Sequence, residues 1–145
     1  MVTIRMMASL GPWTLTHIDD LGRIASHCER CGEPIRYVWV LELAPARPGA
    51  EPTTCRIGSK CGPTLEHMSA ELWKSAGPKG ERLIRLAARL TKILAHPNAT
   101  EAEREFASTT MSKLGNTPMT DREIKLAGWR CADIEKLVKM VRPVS

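Results

Sequence analysis

The chain has 145 residues, 43% of them hydrophobic and 26% charged. That is room for one compact unit rather than several independent cores, and the composition excludes a low-complexity or disordered chain. Lys and Arg number 21 against 16 Asp and Glu, a formal +5 that inclines the surface toward acidic partners, while one Phe, one Tyr and four Trp leave a mostly aliphatic core.

Residues 1–12 contain no apolar stretch long enough for a signal-peptide core, and no run approaches the roughly 18 apolar residues of a membrane span. The expected location is the reducing cytoplasm, where clustered cysteines are metal ligands more often than disulfides. The first predicted element is a short strand over 13–18. Cys28-Glu29-Arg30-Cys31-Gly32 follows, a C-x2-C-G turn in which two thiolates converge on one metal while the glycine lets the backbone fold tightly.

From 35 to 43 the apolar residues alternate, placing Ile35, Tyr37, Trp39, Leu41 and Leu43 on one face of a strand. Sharing that face, Tyr37 and Trp39 read as core and not as base-stacking residues. A Pro- and Gly-rich loop over 44–52 turns the chain into a second strand, Thr53-Thr54-Cys55-Arg56-Ile57, and the hairpin carries metal turns at its ends. Cys61 stands ahead of Pro63-Thr64-Leu65, where a helix over 64–74 is expected, with Leu65, Met68 and Leu72 on one side. A helix start there would favour the thiolate. Four thiolates, Cys28, Cys31, Cys55 and Cys61, suit one closed, tetrahedral, structural Zn2+. The C-x5-C spacing is the loose part: Cys55 needs a bulge or bend to reach the metal, and His27 and His67 compete with it for the fourth place.

Cys28-x2-Cys31-Gly32-x-Pro34-Ile35-x-Tyr37-Val38, followed by Ile57-Gly58-Ser59-x-Cys61 and Leu65, resembles a motif of small uncharacterised bacterial and phage proteins with a single treble-clef-like zinc finger. The likeness spans residues 28–65 and leaves the rest of the chain untouched. It implies the zinc-finger fold and no activity. Many of those proteins carry Cys where this chain has Ser59, so the resemblance implies that the fourth ligand moves to Cys55 or a histidine.

Ser75-Ala76-Gly77-Pro78-Lys79-Gly80 reads as a breaker. It divides a zinc-binding, β-rich module over 1–75 from a basic four-helix unit over 76–145. Leu83, Leu86, Leu90, Ile93 and Leu94 form the first helical stripe, ended by His96-Pro97-Asn98. Thr100 with Glu103 and Thr120 with Glu123 are capping boxes that open the next two helices. The first of these carries Ala102, Phe106, Met111 and Leu114. The second is short and turns at Gly128-Trp129, and Ile134, Leu137, Val138 and Val141 define the last helix. The fold class is α+β, a small treble-clef-like module (β-hairpin plus helix) followed by a helical bundle.

Residues 1–75 hold 8 basic and 8 acidic side chains, and residues 76–145 hold 13 and 8, so the whole excess belongs to the helical half. There Arg82, Arg85, Arg89 and Lys92 recur at steps of 3, 4 and 3, a ridge of roughly 15 Å along one helix face. Glu81 is its only i,i+4 acidic neighbour, so the ridge is expected to lack local neutralisation. A solvated face, a track for phosphates and a contact for an acidic protein surface are the three readings. The segment around Gly128-Trp129-Arg130 has the lengths of a helix-turn-helix, but Asp133 and Glu135 would face the DNA, so a plain hairpin with Trp129 in the core is expected.

Catalytic signatures are thin. His17-Ile18-Asp19-Asp20 beside a zinc module is similar to the start of the treble-clef histidine-metal nucleases, yet no Asn precedes Asn98. Cys131 has no visible base, and no P-loop, G-x-S-x-G or H-E-x-x-H occurs. The expectation is a non-catalytic, zinc-stabilised binding protein with no membrane or small-molecule substrate. Its partner is nucleic acid, met through Arg82, Arg85, Arg89 and Lys92; the alternative is a protein-interaction factor, an adaptor or a phage-type inhibitor of a larger nucleic-acid-processing complex.

Overall fold

A computed structural model describes residues 1–140; Val141 and the end of the last expected helix lie outside them. The element order is β1 (Val2–Leu10), β2 (Trp13–Asp20), β3 (Ser26–His27), β4 (Pro34–Ile35), β5 (Tyr37–Leu43), β6 (Thr53–Ile57), a 3-10 turn (Ser59–Thr64), α1 (Ala70–Ala95), α2 (Glu101–Asn116) and α3 (Asp121–Val138). The α+β class is as expected. β1, β2, β5 and β6 form an antiparallel sheet in the order β1-β2-β5-β6, and β3 pairs separately with β4.

Each strand follows from alternation. β5 sends Trp39 and Leu41 inward against Ile57 and Leu15, all fully buried or nearly so. β1 has no counterpart in the sequence reading, although Val2, Ile4, Met6, Ala8 and Leu10 alternate and Ile4, Met6 and Leu10 are buried. A bulge between Arg5 and Ala8, where Met7 has φ 49°, shifts its register against β2.

The helices depart from expectation in number. No helix spans 64–74; the chain makes the 3-10 turn, and α1 begins at Ala70 with Ser69 as N-cap, its hydroxyl accepting from the Leu72 N–H at 3.2 Å. The expected breaker at 75–80 lies inside α1. Its glycines are there for close approach: a Cβ on Gly80 would stand 2.5 Å from the Trp39 ring, and one on Gly77 2.9 Å from Trp73 Nε1. Trp39 and Trp73 themselves pack with ring centroids 5.5 Å apart. Gly128 likewise interrupts nothing, because α3 runs through it as one helix. Three helices therefore stand where four were expected. Both capping boxes form, Thr100 with Glu103 and Thr120 with Glu123.

The boundary expected at 75/76 falls within α1, and sheet and helices share one contiguous core, from Ile4 and Leu10 through Leu83 and Leu90 to Leu114 and Ile134. α1 lies against β1, α2 and α3. Among the described residues, no helix is long and apolar enough to cross a membrane.

Candidate metal centre and basic groove

The β3–β4 pair exists to make a turn. Ser26 pairs with Ile35 and His27 with Pro34, the Cys28 N–H donates to the Glu33 carbonyl at 2.8 Å, and the Gly32 N–H returns to the Cys28 carbonyl at 2.8 Å. Gly32 has φ +78°, the left-handed conformation that this tight turn requires. The Glu29 N–H donates to the Arg56 carbonyl at 3.0 Å, and the Arg56 N–H to Glu29 Oε1 at 3.2 Å, fastening the turn to β6. The 3-10 turn supplies the second side. Cys61 N–H donates to the Gly58 carbonyl at 3.2 Å, Thr64 Oγ1 donates to the Cys61 carbonyl at 2.7 Å, and Arg30 Nε donates to that same hydroxyl at 2.9 Å.

These two turns bring the sulfurs of Cys28, Cys31 and Cys61 within 4.8 Å of one another. Thiolates on one tetrahedral zinc are about 3.8 Å apart, as Zn–S bonds of ~2.3 Å dictate, so the cluster can hold a metal ion with little closure. Burial acts to raise the Cys28 thiol, but N–H groups of Cys31, Gly58 and Arg30 directed at its sulfur bring it down to about 7. Cys61, hydrogen-bonded to Cys31, partly desolvated and bonded to Cys28, is pushed up to about 12. The cluster's thiols titrate together, with hydrogen bonding favouring the thiolate at Cys28 and opposing it at Cys61.

Cys55 is not part of this group. It pairs with Leu41 across the ladder and shares its strand face with buried Ile57, so regular alternation turns its thiol toward the core with no bulge to redirect it. Burial, Glu29 and Cys28 raise that thiol above its ordinary value. His27 and His67 are exposed, and His67 Nε2 lies 3.5 Å from Glu66 Oε1. Among the described residues the cluster has three protein ligands.

The chain matches no family model, no curated protein and no solved structure. Any functional reading therefore comes from the geometry of its own residues.

The basic ridge is placed as expected on α1, but it is not left without counter-charges. Arg82 Nη2 is 3.5 Å from Asp121 Oδ1, Lys79 Nζ is 4.0 Å from the same oxygen, and Arg89 grips Glu135 with both ends of its guanidinium, Nε at 3.1 Å. The pairing raises Arg89 and lowers Glu135. Both carboxylates, Asp121 and Glu135, come from α3, across the helix pair, which is why spacing within one helix missed them. Among the described residues Arg85 and Lys92 make no ion pair within 4 Å, and both are exposed.

The larger surprise is Trp129. Expected in the core, it is 58% exposed, because the continuous α3 rotates it away from the face that buries Ile124, Ala127, Cys131 and Ile134. Lys125 Nζ sits 5.2 Å from its ring centroid. A groove of about 650 Å³ between α1 and α3 is lined by Arg82, Arg85, Arg89, Lys125, Asp121 and Trp129, among others. Cys131 is fully buried beneath it, and burial raises its thiol. His17, near β2's end, contacts Thr16 Oγ1 at 2.9 Å and Asp19 at 3.5 Å, while Asp20 holds Arg36 at 2.8 Å, so that acidic run is committed to the sheet.

Proposed function

We propose that this chain is a non-catalytic, zinc-stabilised protein that binds single-stranded nucleic acid in the groove between α1 and α3. The observation that carries the reading is the exposed Trp129 ring beside Lys125, Arg82, Arg85 and Arg89 in one groove. An accessible aromatic face stacks any base, and cations around it follow the backbone phosphates. Asp121 and Glu135 temper the charge, which suits a modest, salt-sensitive affinity. Three soft thiolates at close range support zinc as the metal, whose part is to pin the β3–β4 turn to the sheet.

Intrinsic fluorescence tests it. Trp13 and Trp39 are buried and Trp73 is half-buried, so an oligothymidylate stacking on Trp129 quenches the most exposed of the four indoles. At about 50 mM salt saturable quenching is expected, with affinity falling steeply as salt rises. Trp129→Ala removes the quenching and weakens binding roughly tenfold, as loss of ~1–3 kcal/mol of stacking requires. Arg85→Glu weakens binding and flattens the salt dependence. No binding near 50 mM salt, or binding indifferent to both changes, refutes the reading and leaves the groove to an acidic protein surface.

A further inference from the structure

The two turns of the thiolate cluster repeat one frame. Cys28-Glu29-Arg30-Cys31-Gly32 and Gly58-Ser59-Lys60-Cys61-Gly62 align position for position. In the second frame, the place of the first ligand is taken by Gly58, which has no side chain. Its N–H points at the Cys28 sulfur instead. Among the described residues none makes good the loss: Cys55 shares its strand face with buried Ile57 on β6, and the group of sulfurs within 4.8 Å ends at three. Those three cysteines line a single cleft of about 270 Å³, with Lys60 and Arg36 on its walls and Ile84 and Trp39 at its apolar side.

We propose that a divalent metal at Cys28, Cys31 and Cys61 keeps its fourth position open toward this cleft, and that the position takes an exogenous small-molecule thiolate. The inference rests on the metal reading above. Three protein ligands and one open corner make an exchanging centre, whereas four make a closed structural one. A divalent ion on three thiolates carries one net negative charge, so a fourth anionic donor needs a cationic neighbour; Lys60 on the cleft wall supplies it, while Arg36 is paired with Asp20 and Glu33 and Glu81 also line the cleft. The apolar wall suits the short carbon chain that carries the sulfur. On binding, the thiol's proton leaves to solvent, its sulfur replaces a bound water, and no electrons change hands.

The test uses the full chain loaded with Co2+ and titrated with 2-mercaptoethanol. The expected result is a saturable shift of the tetrahedral d–d bands to longer wavelength, with growth of sulfur-to-cobalt charge transfer. A spectrum that does not respond overturns the open position. Cys55→Ser is expected to keep both the spectrum and the response; a loss of charge-transfer intensity would give the fourth corner to Cys55 and end the proposal. Gly58 has φ −78° and ψ 159°, which any residue adopts, and a Cβ there meets only Ile35 Cγ2, at 3.2 Å. Gly58→Cys is therefore expected to show the four-thiolate spectrum without added thiol and to ignore 2-mercaptoethanol. A Gly58→Cys protein that still responds refutes the repeated frame. Failure of the wild-type chain to bind Co2+ at all removes the metal reading as well, which separates the two ideas.

Discussion

The thiolate end and the α1–α3 groove are assembled by different means. At the thiolate end, backbone hydrogen bonds within two short turns aim the sulfurs, and other N–H groups of the same turns, those of Cys31, Gly58 and Arg30, stabilise the Cys28 thiolate. In the groove, side chains from two helices about 40 residues apart in sequence meet across a packed interface, Arg82 with Asp121 and Arg89 with Glu135. The first kind of site is dictated locally and can hold a metal ion. The second exists only when the core has formed: Arg82 and Arg89 are balanced there against carboxylates from the opposite helix, and Arg85 is left exposed without one among the described residues.

That contrast breaks most visibly on metal removal. The turn between β3 and β4 buries Cys28 but leaves most of its other residues exposed or half-exposed, so beside its hydrogen bonds to Arg56 and Thr64 a bound metal would be its main anchor. A strong chelator should lower the melting temperature by on the order of 10 °C. Amide exchange should rise over 26–35 and 58–64 while helical ellipticity at room temperature is kept. Cys28→Ser should behave as the chelated protein does. An unchanged melting temperature together with unchanged exchange would show that the turns stand without metal.

The glycines of the helical half sharpen the comparison by a smaller amount. In an exposed helix Gly→Ala stabilises by about 0.5–1 kcal/mol. At Gly80 the new methyl would press to 2.5 Å from the Trp39 ring and 2.9 Å from Ile18 Cδ1, both buried and unable to retreat. Overpacking of that kind costs ~1–3 kcal/mol and outweighs propensity, so Gly80→Ala should destabilise by about 1–2 kcal/mol in denaturant titration. Gly128→Ala meets nothing nearer than Arg89 Nη1 at 3.9 Å and should stabilise by roughly 0.5 kcal/mol. Equal signs for the two would mean that the tryptophan does not set the requirement at position 80.

Those two glycines also explain which parts of the molecule were legible. C-x2-C-G, the β5 alternation and both T-x-x-E boxes were readable because each is a local rule with a local cause. Ser75 to Gly80 was misread because a glycine that admits a neighbouring ring is written with the same letter as one that ends a helix. The same ambiguity at Gly128 sent Trp129 into the core, where the uninterrupted helix does not put it. The placing of Cys55 is legible too: strand alternation groups it with buried Ile57 on one face of β6, whereas a four-thiolate site needs a bend that the regular ladder does not make. The frame from Gly58 to Gly62 keeps the Cys-Gly end of Cys28 to Gly32 and has glycine in place of the first cysteine, so C-x2-C spacing does not mark it.

On a pH axis the two regions should separate, and the smallest effect tests this. A metal bound at the thiolate end should be released as protons compete for sulfur in mildly acidic solution. The helical half keeps a carboxylate that resists much longer. Hydrogen bonding from Lys113, reinforced by the Thr120 N–H and hydroxyl of the capping box, holds the Glu123 carboxyl down to about 2. Since the unfolded value is about 4.3, the folded form binds its proton less readily. The stabilisation is complete above that unfolded value and disappears as pH falls through about 2. Lys113→Met removes the first of the three donors, so the Glu123 titration followed by NMR should move up toward the unfolded value and the acid loss should begin at higher pH. A Glu123 titration unmoved in Lys113→Met would assign the whole depression to Thr120, and the link between α2 and α3 through this pair would carry no pH dependence.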